Sequence, residues 1–330
     1  MNLVDKLKRI SNLLIKSSNI EEEIHAVKLL SVFYEDLIIN ITDNEYSKKD
    51  TDTKGGIALS PKHAKECVED YIRTARFIKG IYKAINKLKE GFKKERIEIL
   101  YAGCGPLGTL IIPILPLFKS SELTITLIDI HEASISSIKN IIDILEYQEY
   151  IDKCIVADAI TYKHHKSNSI HLVVTETMDK ALIKEPQVLI TQNLAPQIKK
   201  EGVLIPEEIK LTTGYSFYAK EKKHGSRELD EYDYININRG EELFSITKKV
   251  FLLEDNCNYE SDYFFLKENI EETPDICVFT EVVVFDDIII NSGESYITNP
   301  LCVKSIYTLK NEKFKLNYKI AEQPKWFLIE

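Results

Sequence analysis

Two hydrophobic periods divide this chain. Up to residue 88 apolar side chains recur every three or four positions, the spacing that lines one face of an α-helix; beyond residue 206 they recur every second position, as in half-buried strands. Between these regions, short continuous apolar runs alternate with helical segments, the pattern of a mainly parallel sheet covered by helices on both faces. The reading is an α/β protein with N-terminal helices, a doubly wound centre and a C-terminal antiparallel β domain, a barrel or sandwich.

Residues 3–15 place Val4, Leu7, Ile10 and Leu14 on one helical face, and residues 20–41 do the same with Ile24, Val27, Leu30 and Leu37. From Thr42 to Gly56 the chain turns polar, ending in a Gly-Gly pair, and reads as a mobile surface linker. Ser60 can then cap a helix with Pro61 at its first position, and helical spacing runs on to Leu88, with a break expected near Gly80. The opposite face carries Asp70, Arg73, Arg76 and Lys79. By spacing alone it reads as solvated, with Asp70 and Arg73 paired three residues apart.

The centre opens with Ile97 to Gly108, an apolar β run followed by glycines at 103, 105 and 108, where bare backbone can turn tightly and approach a ligand. Leu123 to Ile130 is a strand with Asp129 at its end. Glu132 to Leu145 is helical, Cys154 to Ala157 is a short strand ending at Asp158, and Ile170 to Thr175 is a strand ending at Glu176. Sheets of this kind bind ligands at the carboxyl ends of their strands, and three acids stand there. A helix from Pro186 to Lys199 leads to Gly202 and the strand Val203 to Ile205, closed by Pro206. Strands are expected next at Lys210 to Tyr218, Ser245 to Leu253, Ile276 to Phe285, Ser295 to Thr298, Leu301 to Tyr307 and Lys313 to Ile320. The charged stretch Lys220 to Glu242 reads as an exposed insertion.

At 330 residues and 38.0 kDa the chain exceeds the common single-domain size, so two domains or one with a large appendage are expected. No apolar run approaches a membrane span of roughly 18 residues. The N-terminus, with Lys6, Lys8 and Arg9 among apolar residues, reads as an amphipathic helix, which places the expected location in the cytoplasm. Six dispersed cysteines show no metal-binding spacing, so no metal site is expected. A net charge of -9 argues against nucleic acid and leans towards a basic or neutral substrate. His164 and His165, in a polar run, and the basic run Lys220 to His224 read as solvated surface.

Asp129 lies where an acid ending the second strand holds ribose hydroxyls, which suits both nicotinamide dinucleotides and S-adenosylmethionine. Two further stretches separate these readings. Thr175-Glu-Thr-Met-Asp-Lys-Ala-Leu-Ile-Lys-Glu185 carries two glutamates nine residues apart with Met178 after the first, and Asp70-Tyr-Ile-Arg73-Thr74 precedes the glycine loop on a helix. On these stretches the chain resembles the class I S-adenosylmethionine-dependent methyltransferases, and within them the protein arginine methyltransferases, over roughly Ser60 to Lys210 and more faintly to about Tyr307.

The resemblance implies a Rossmann-like cofactor domain at 97–206, preceded by a helical region and lid at 1–96 and followed by a β-rich, barrel-like substrate and dimerisation domain at 207–330. It implies that Arg73 binds the methionine carboxylate, Gly103 and Gly105 pass under the cofactor, Asp129 takes the ribose and Asp158 approaches the adenine. Glu176 and Glu185 would grip the acceptor as catalytic groups, with Met178 beside the substrate. Methyl transfer is an in-line displacement, so the protein's task is to orient the acceptor and exclude water; two carboxylates can hold a guanidinium in a fork.

The chain departs from the family pattern at Tyr101, where an acid is expected, at Pro106 in the glycine loop, and at Thr177, where an aromatic is expected. The family's Thr-His-Trp segment has no match; the nearest counterpart is Asn299 to Tyr307. These departures leave room for another amine, amidine or hydroxyl on a small molecule or peptide. The activity expected is N-methylation of a guanidino or amino group. The alternatives are O- or N-methylation without guanidinium recognition, a non-catalytic interaction protein keeping the fold, and a nicotinamide oxidoreductase. The resemblance also implies a homodimer, with Lys220 to Glu242 placed to form its arm.

Overall fold

The computed structural model describes residues 2–38, 49–166, 169–217, 238–249, 258–266 and 273–330. Helix α1 (Leu3–Lys16), capped by the Asn2 side chain, buries Leu7, Ile10 and Leu14 against α2 (Ile20–Ile38). The stretch read as a polar linker carries instead, in its described part, an antiparallel hairpin of β1 (Thr51–Thr53) and β2 (Gly56–Ala58), turned through Gly55 at φ 75°.

The long helix expected from Pro61 is two helices. α3 (Pro61–Glu66) passes through a 3-10 turn at Cys67–Glu69, and α4 (Tyr71–Gly91) starts afresh. The break falls at Asp70, not Gly80. Asp70 leaves helical geometry with ψ at 82° and caps α4, the role in which a short acidic side chain is worth more than inside a helix. Gly80 stays helical, and its missing Cβ lets the facing strand come close: a Cβ there would lie 2.5 Å from Val284 Cγ1.

β3 (Ile97–Ala102), β4 (Leu123–Asp129), α5 (Glu132–Ile144), β5 (Ile151–Val156), β6 (Ile170–Thr175), α6 (Gln187–Leu194) and β7 (Ile198–Ile205) build the centre. Their sheet is wholly parallel, in the order β5-β4-β3-β6-β7. β7 begins before the expected Val203, because Lys199, Lys200 and Glu201 belong to an edge strand, where polar side chains are tolerated. Between the glycine loop and β4 the chain forms a 3-10 turn at Ile112–Leu117 containing Pro113 and Pro116, with the Ser11 hydroxyl of α1 reaching the Pro113 carbonyl.

Of the two histidines read as solvated surface, His165 is exposed and His164 is not. His164 is buried, its Nε2 2.6 Å from Glu98 Oε1, and His165 Nε2 lies 3.8 Å from Asp152. Only the His164 ring turns inward, where it finds Glu98 on a neighbouring strand.

The C-terminal part comprises β8 (Glu208–Ser216), β9 (Asn238–Thr247), β10 (Asn258–Glu260), β11 (Phe264–Phe265), β12 (Asp275–Phe285), β13 (Ile288–Ile290), β14 (Leu301–Ser305), β15 (Lys313–Ile320) and β16 (Pro324–Ile329). One antiparallel sheet runs β13-β12-β8-β9, with β14 also on β12. A second has β15 between β10 and β11, with β16 also on β15. Phe244 of the first packs on Tyr318 and Trp326 of the second, with ring centroids 5.6 and 5.9 Å apart. The run Ser295 to Thr298, expected as a strand, is a 3-10 turn capped by Ser295, because that hydroxyl and the neighbouring amides bond locally and to Asp70 rather than to a strand. The basic run Lys220 to His224, and the insertion up to residue 237, lie outside the described residues; β9 starts at Asn238, earlier than the expected Ser245.

Candidate active site

The carboxyl ends of β3, β4, β5 and β6 open into one cavity of about 680 Å³, closed by α3, the β1–β2 hairpin and the turn at Tyr296–Thr298. Arg73, Gly103, Gly105, Asp129, Asp158, Glu176, Met178 and Glu185 all line it. The residues singled out in the sequence therefore share one space.

β3 ends in the glycine loop. Gly103 has φ 70°, and a Cβ there would lie 2.6 Å from Thr177 Cγ2, so a side chain is excluded both by conformation and by contact. Gly105 N donates to Asp129 Oδ2 at 2.9 Å, which joins the ends of β3 and β4. The other Asp129 oxygen accepts from His131 N at 2.9 Å. Asp158 folds into an Asx turn, its Oδ1 accepting from Ile160 N at 2.9 Å, while still facing the cavity; it is thus both a turn residue and a lining residue.

Arg73 is buried, in place of the solvated position that helical spacing suggests. Its Nη1 donates to Glu176 Oε2, its Nη2 donates to the Cys67 carbonyl at 2.8 Å, and its buried Nε has no partner. Burial works against its charge, but the carboxylates of Glu176 and Asp70 outweigh it and hold the guanidinium firmly cationic. Asp70 spends its side chain elsewhere: Oδ2 accepts from Ser295 Oγ at 2.6 Å and Tyr296 N at 2.9 Å, tying the start of α4 to the β domain. Arg76, one turn on, pairs with Glu294 and lies 3.6 Å from Glu23.

The two glutamates differ. Glu176 is nearly buried and paired with Arg73; burial raises its pKa and Arg73 opposes the rise. Burial, together with Glu176 and Asp179, pushes the Glu185 carboxyl well above the usual range. The turn between them uses Ala181, Leu182 and Lys184 at positive φ and is pinned from the β domain by Tyr318 Oη on the Leu182 carbonyl, 2.7 Å, and Trp326 Nε1 on the Ala181 carbonyl, 2.9 Å. Met178 is buried between them, forming apolar wall. Burial also drives the Cys67 thiol up to about 12, against the pull of Arg73, which makes it a poor nucleophile. Tyr101, where the family pattern has an acid, is buried with its side chain against the same cavity.

Sequence reasoning missed the hairpin and its neighbours: Asp50, Thr53, Ile57 and Ala58 line the cavity, as do His63, His131, Tyr296 and Ile297. The available signal was the Gly-Gly pair, a turn mark inside a stretch otherwise read as linker. Among the described residues, no cluster of His, Cys, Asp and Glu is arranged to hold a metal, and no helix is long and apolar enough to cross a membrane.

No family model and no curated protein matches this chain. Solved structures do. A chain of the Trypanosoma brucei PRMT1 enzyme–prozyme heterotetrameric complex with AdoHcy is similar over 80% of this chain and 97% of its own, at 11% identity and a TM-score of 0.52. Arabidopsis thaliana protein arginine methyltransferase 10, in a uniquely open conformation, is similar over 82% of this chain and 98% of its own, at 11% identity and a TM-score of 0.53. The chain thus has the fold of the protein arginine methyltransferases: a Rossmann-like sheet with N-terminal helices and an antiparallel β domain.

Proposed function

We propose that this chain is an S-adenosylmethionine-dependent methyltransferase acting on a cationic nitrogen, a guanidino or amino group. One observation carries the reading: Asp129, Asp158, Glu176, Asp179 and Glu185 line the cavity against only Arg73 and Lys184 as permanent cations of the lining. Carboxylates gathered in one cavity, Asp129 buried and Glu176 nearly so, are costly unless a cation completes them. The complex with AdoHcy among the similar structures supports the same class of cofactor.

The residues fit that cofactor. The unpartnered Nε of Arg73 is a donor suited to a carboxylate, the bare backbone of Gly103 leaves room that a Cβ would fill, and Asp129 is an acceptor suited to ribose hydroxyls. When bound, the sulfonium supplies the methyl group for in-line displacement. Arg73, Gly103, Gly105, Asp129 and Asp158 hold it. Glu176 and Glu185 orient the acceptor and draw its charge away from the attacking nitrogen, while Met178 and the hairpin exclude water. Glu185, whose burial raises its affinity for a proton, can take up the proton lost from that nitrogen once the bound cation has drawn the carboxyl into its ionised form.

Isothermal titration tests the first half: the wild type should bind S-adenosylmethionine and Gly103→Arg should not. No binding by the wild type overturns the reading. Transfer of labelled methyl to arginine peptides, agmatine and simple amines tests the second. Activity that survives Glu176→Gln with Glu185→Gln points to a hydroxyl or neutral amine acceptor instead. One contact favours a non-catalytic role: Glu176 is already engaged by Arg73. Cofactor binding without transfer to any of these acceptors would select that role. A homodimer and a cytoplasmic location remain implications of the resemblance and the composition; analytical ultracentrifugation of the whole chain tests the first.

A further inference from the structure

The segment 50–58 touches both halves of the cavity. At its start Asp50 Oδ1 accepts from Ser60 N at 2.8 Å and pairs with His63 Nδ1 at 2.9 Å, fixing it to α3. Next, Thr51 Oγ1 lies 3.0 Å from His131 Nε2, and His131 Nδ1 lies 3.3 Å from Asp129 Oδ1. The His131 ring therefore bridges the Asp129 carboxylate on one side and the Thr51 hydroxyl on the other. At the far end Ile57 N donates to the Lys184 carbonyl at 2.7 Å. Gly56 sits so close to the same turn that a Cβ would lie 2.6 Å from Lys184 O, 2.7 Å from Pro186 N and 2.8 Å from Glu185 C.

We propose that residues 50–58 form a strap that couples the cofactor half of the site to the acceptor half, with His131 as the positioning residue that reads Asp129 and Gly56 and Ile57 as the contact that sets Glu185. The proposal rests on the methyltransferase reading. Ribose hydroxyls bonding Asp129 add donors around its Oδ1 and reset the His131 imidazole, and Thr51 follows it. Backbone contact at the other end passes the shift to the Lys184–Glu185 peptide, so the acceptor carboxylate takes its working position only beneath a bound cofactor. The hairpin's short strands suit this task, since a two-stranded ribbon has few bonds of its own and takes its position from what it touches.

Trp326, the chain's single tryptophan, donates to Ala181 O in the same turn and serves as the reporter. S-adenosylhomocysteine is the probe, with binding measured by calorimetry, dissociation by stopped flow on Trp326 fluorescence and on cofactor displacement, and the Ile57 amide by hydrogen exchange. In the wild type, binding should change Trp326 emission and slow Ile57 exchange. Thr51→Val should bind with dissociation about fivefold to tenfold faster, the effect of losing one hydrogen bond, and without the Trp326 response; Thr51→Ser should restore both. Bound S-adenosylhomocysteine with Trp326 and Ile57 unresponsive in the wild type, or Thr51→Val behaving as wild type, overturns the strap. Absence of calorimetric binding by the wild type removes the methyltransferase reading itself, and the strap with it.

Discussion

The two ends of the central sheet carry the same residue types in opposite states. At the amino ends of the strands, Glu98 meets His164 at 2.6 Å, Glu95 meets His171 at 3.1 Å, and His171 Nδ1 accepts from Glu98 N at 3.0 Å. Both of these carboxylates have a nitrogen to answer them. At the carboxyl ends Glu185 lies beside Glu176 and Asp179, and the permanent cations of the lining are already engaged, Arg73 by Glu176 and Lys184 by Asp179. A buried charge that is paired belongs to the architecture, and one left without its counter-charge marks where a ligand completes the structure. The contrast teaches that the site is to be recognised by what its carboxylates lack.

The largest effect expected from breaking that contrast is on turnover. Glu176→Gln with Glu185→Gln should cut methyl transfer to a cationic acceptor by about 10²- to 10³-fold, the scale on which a misoriented acceptor reacts, while calorimetry shows cofactor affinity within a few-fold of wild type. Next comes Arg73→Met. It removes the proposed partner of the methionine carboxylate and should weaken S-adenosylhomocysteine by about ten- to a hundredfold, a charge-assisted hydrogen bond being worth about 1.5–3 kcal/mol. The carboxylate-free 5′-methylthioadenosine should bind both proteins alike. Equal losses for the two ligands would mean that Arg73 serves only the fold.

The carboxyl end was the more legible one, for a physical reason. A parallel sheet delivers residues to its carboxyl edge by strand length alone, so Gly103, Asp129, Asp158 and Glu176 could be placed from apolar runs and the acids that follow them. Arg73 and Glu185 needed the family resemblance, because helical spacing alone sets Arg73 on a solvated face and does not reveal that Glu176, at the end of β6, meets it there. The amino end was misread. His164 looked solvated in the run Lys163-His-His-Lys166, and nothing local shows that Glu98, on another strand, waits beneath it. The hairpin at Thr51 was hidden for the same reason: its bonds run to His131 and Lys184, far along the chain.

A third change sharpens the comparison from the architectural side. His164→Ala strips Glu98 of its buried partner and should cost about 1–3 kcal/mol of stability, the price of a hydrogen bond lost to a charged group, measured by urea denaturation. Cofactor affinity should not move. A loss of affinity larger than the loss of stability explains would mean that the two ends communicate.

The smallest effect is the most specific, because it has opposite signs at the two ends. Burial holds the Glu185 carboxyl well above its usual value, so the folded protein keeps a proton there that the unfolded chain has released. Its stabilising contribution is complete below the ordinary carboxylate value, about 4.3, and is lost as pH rises through the raised folded value. Glu98 is the reverse: burial opposes its charge, but hydrogen bonds from His164 and Ser169 outweigh burial and lower its pKa. Its contribution is present above the ordinary value and is lost as pH falls through the folded one. The stability of wild type minus that of Glu185→Gln should therefore fall as pH rises from 5 to about 8, and wild type minus Glu98→Gln should fall as pH drops from about 5 to 3. Thermal unfolding of the three proteins across that range measures both slopes. Saturating a cationic acceptor should flatten the first slope, since a guanidinium between Glu176 and Glu185 favours the ionised carboxylates, and leave the second untouched. A Glu185 difference already flat without acceptor would mean that this carboxylate has its counter-charge within the chain, and the distinction between the two ends of the sheet would fall.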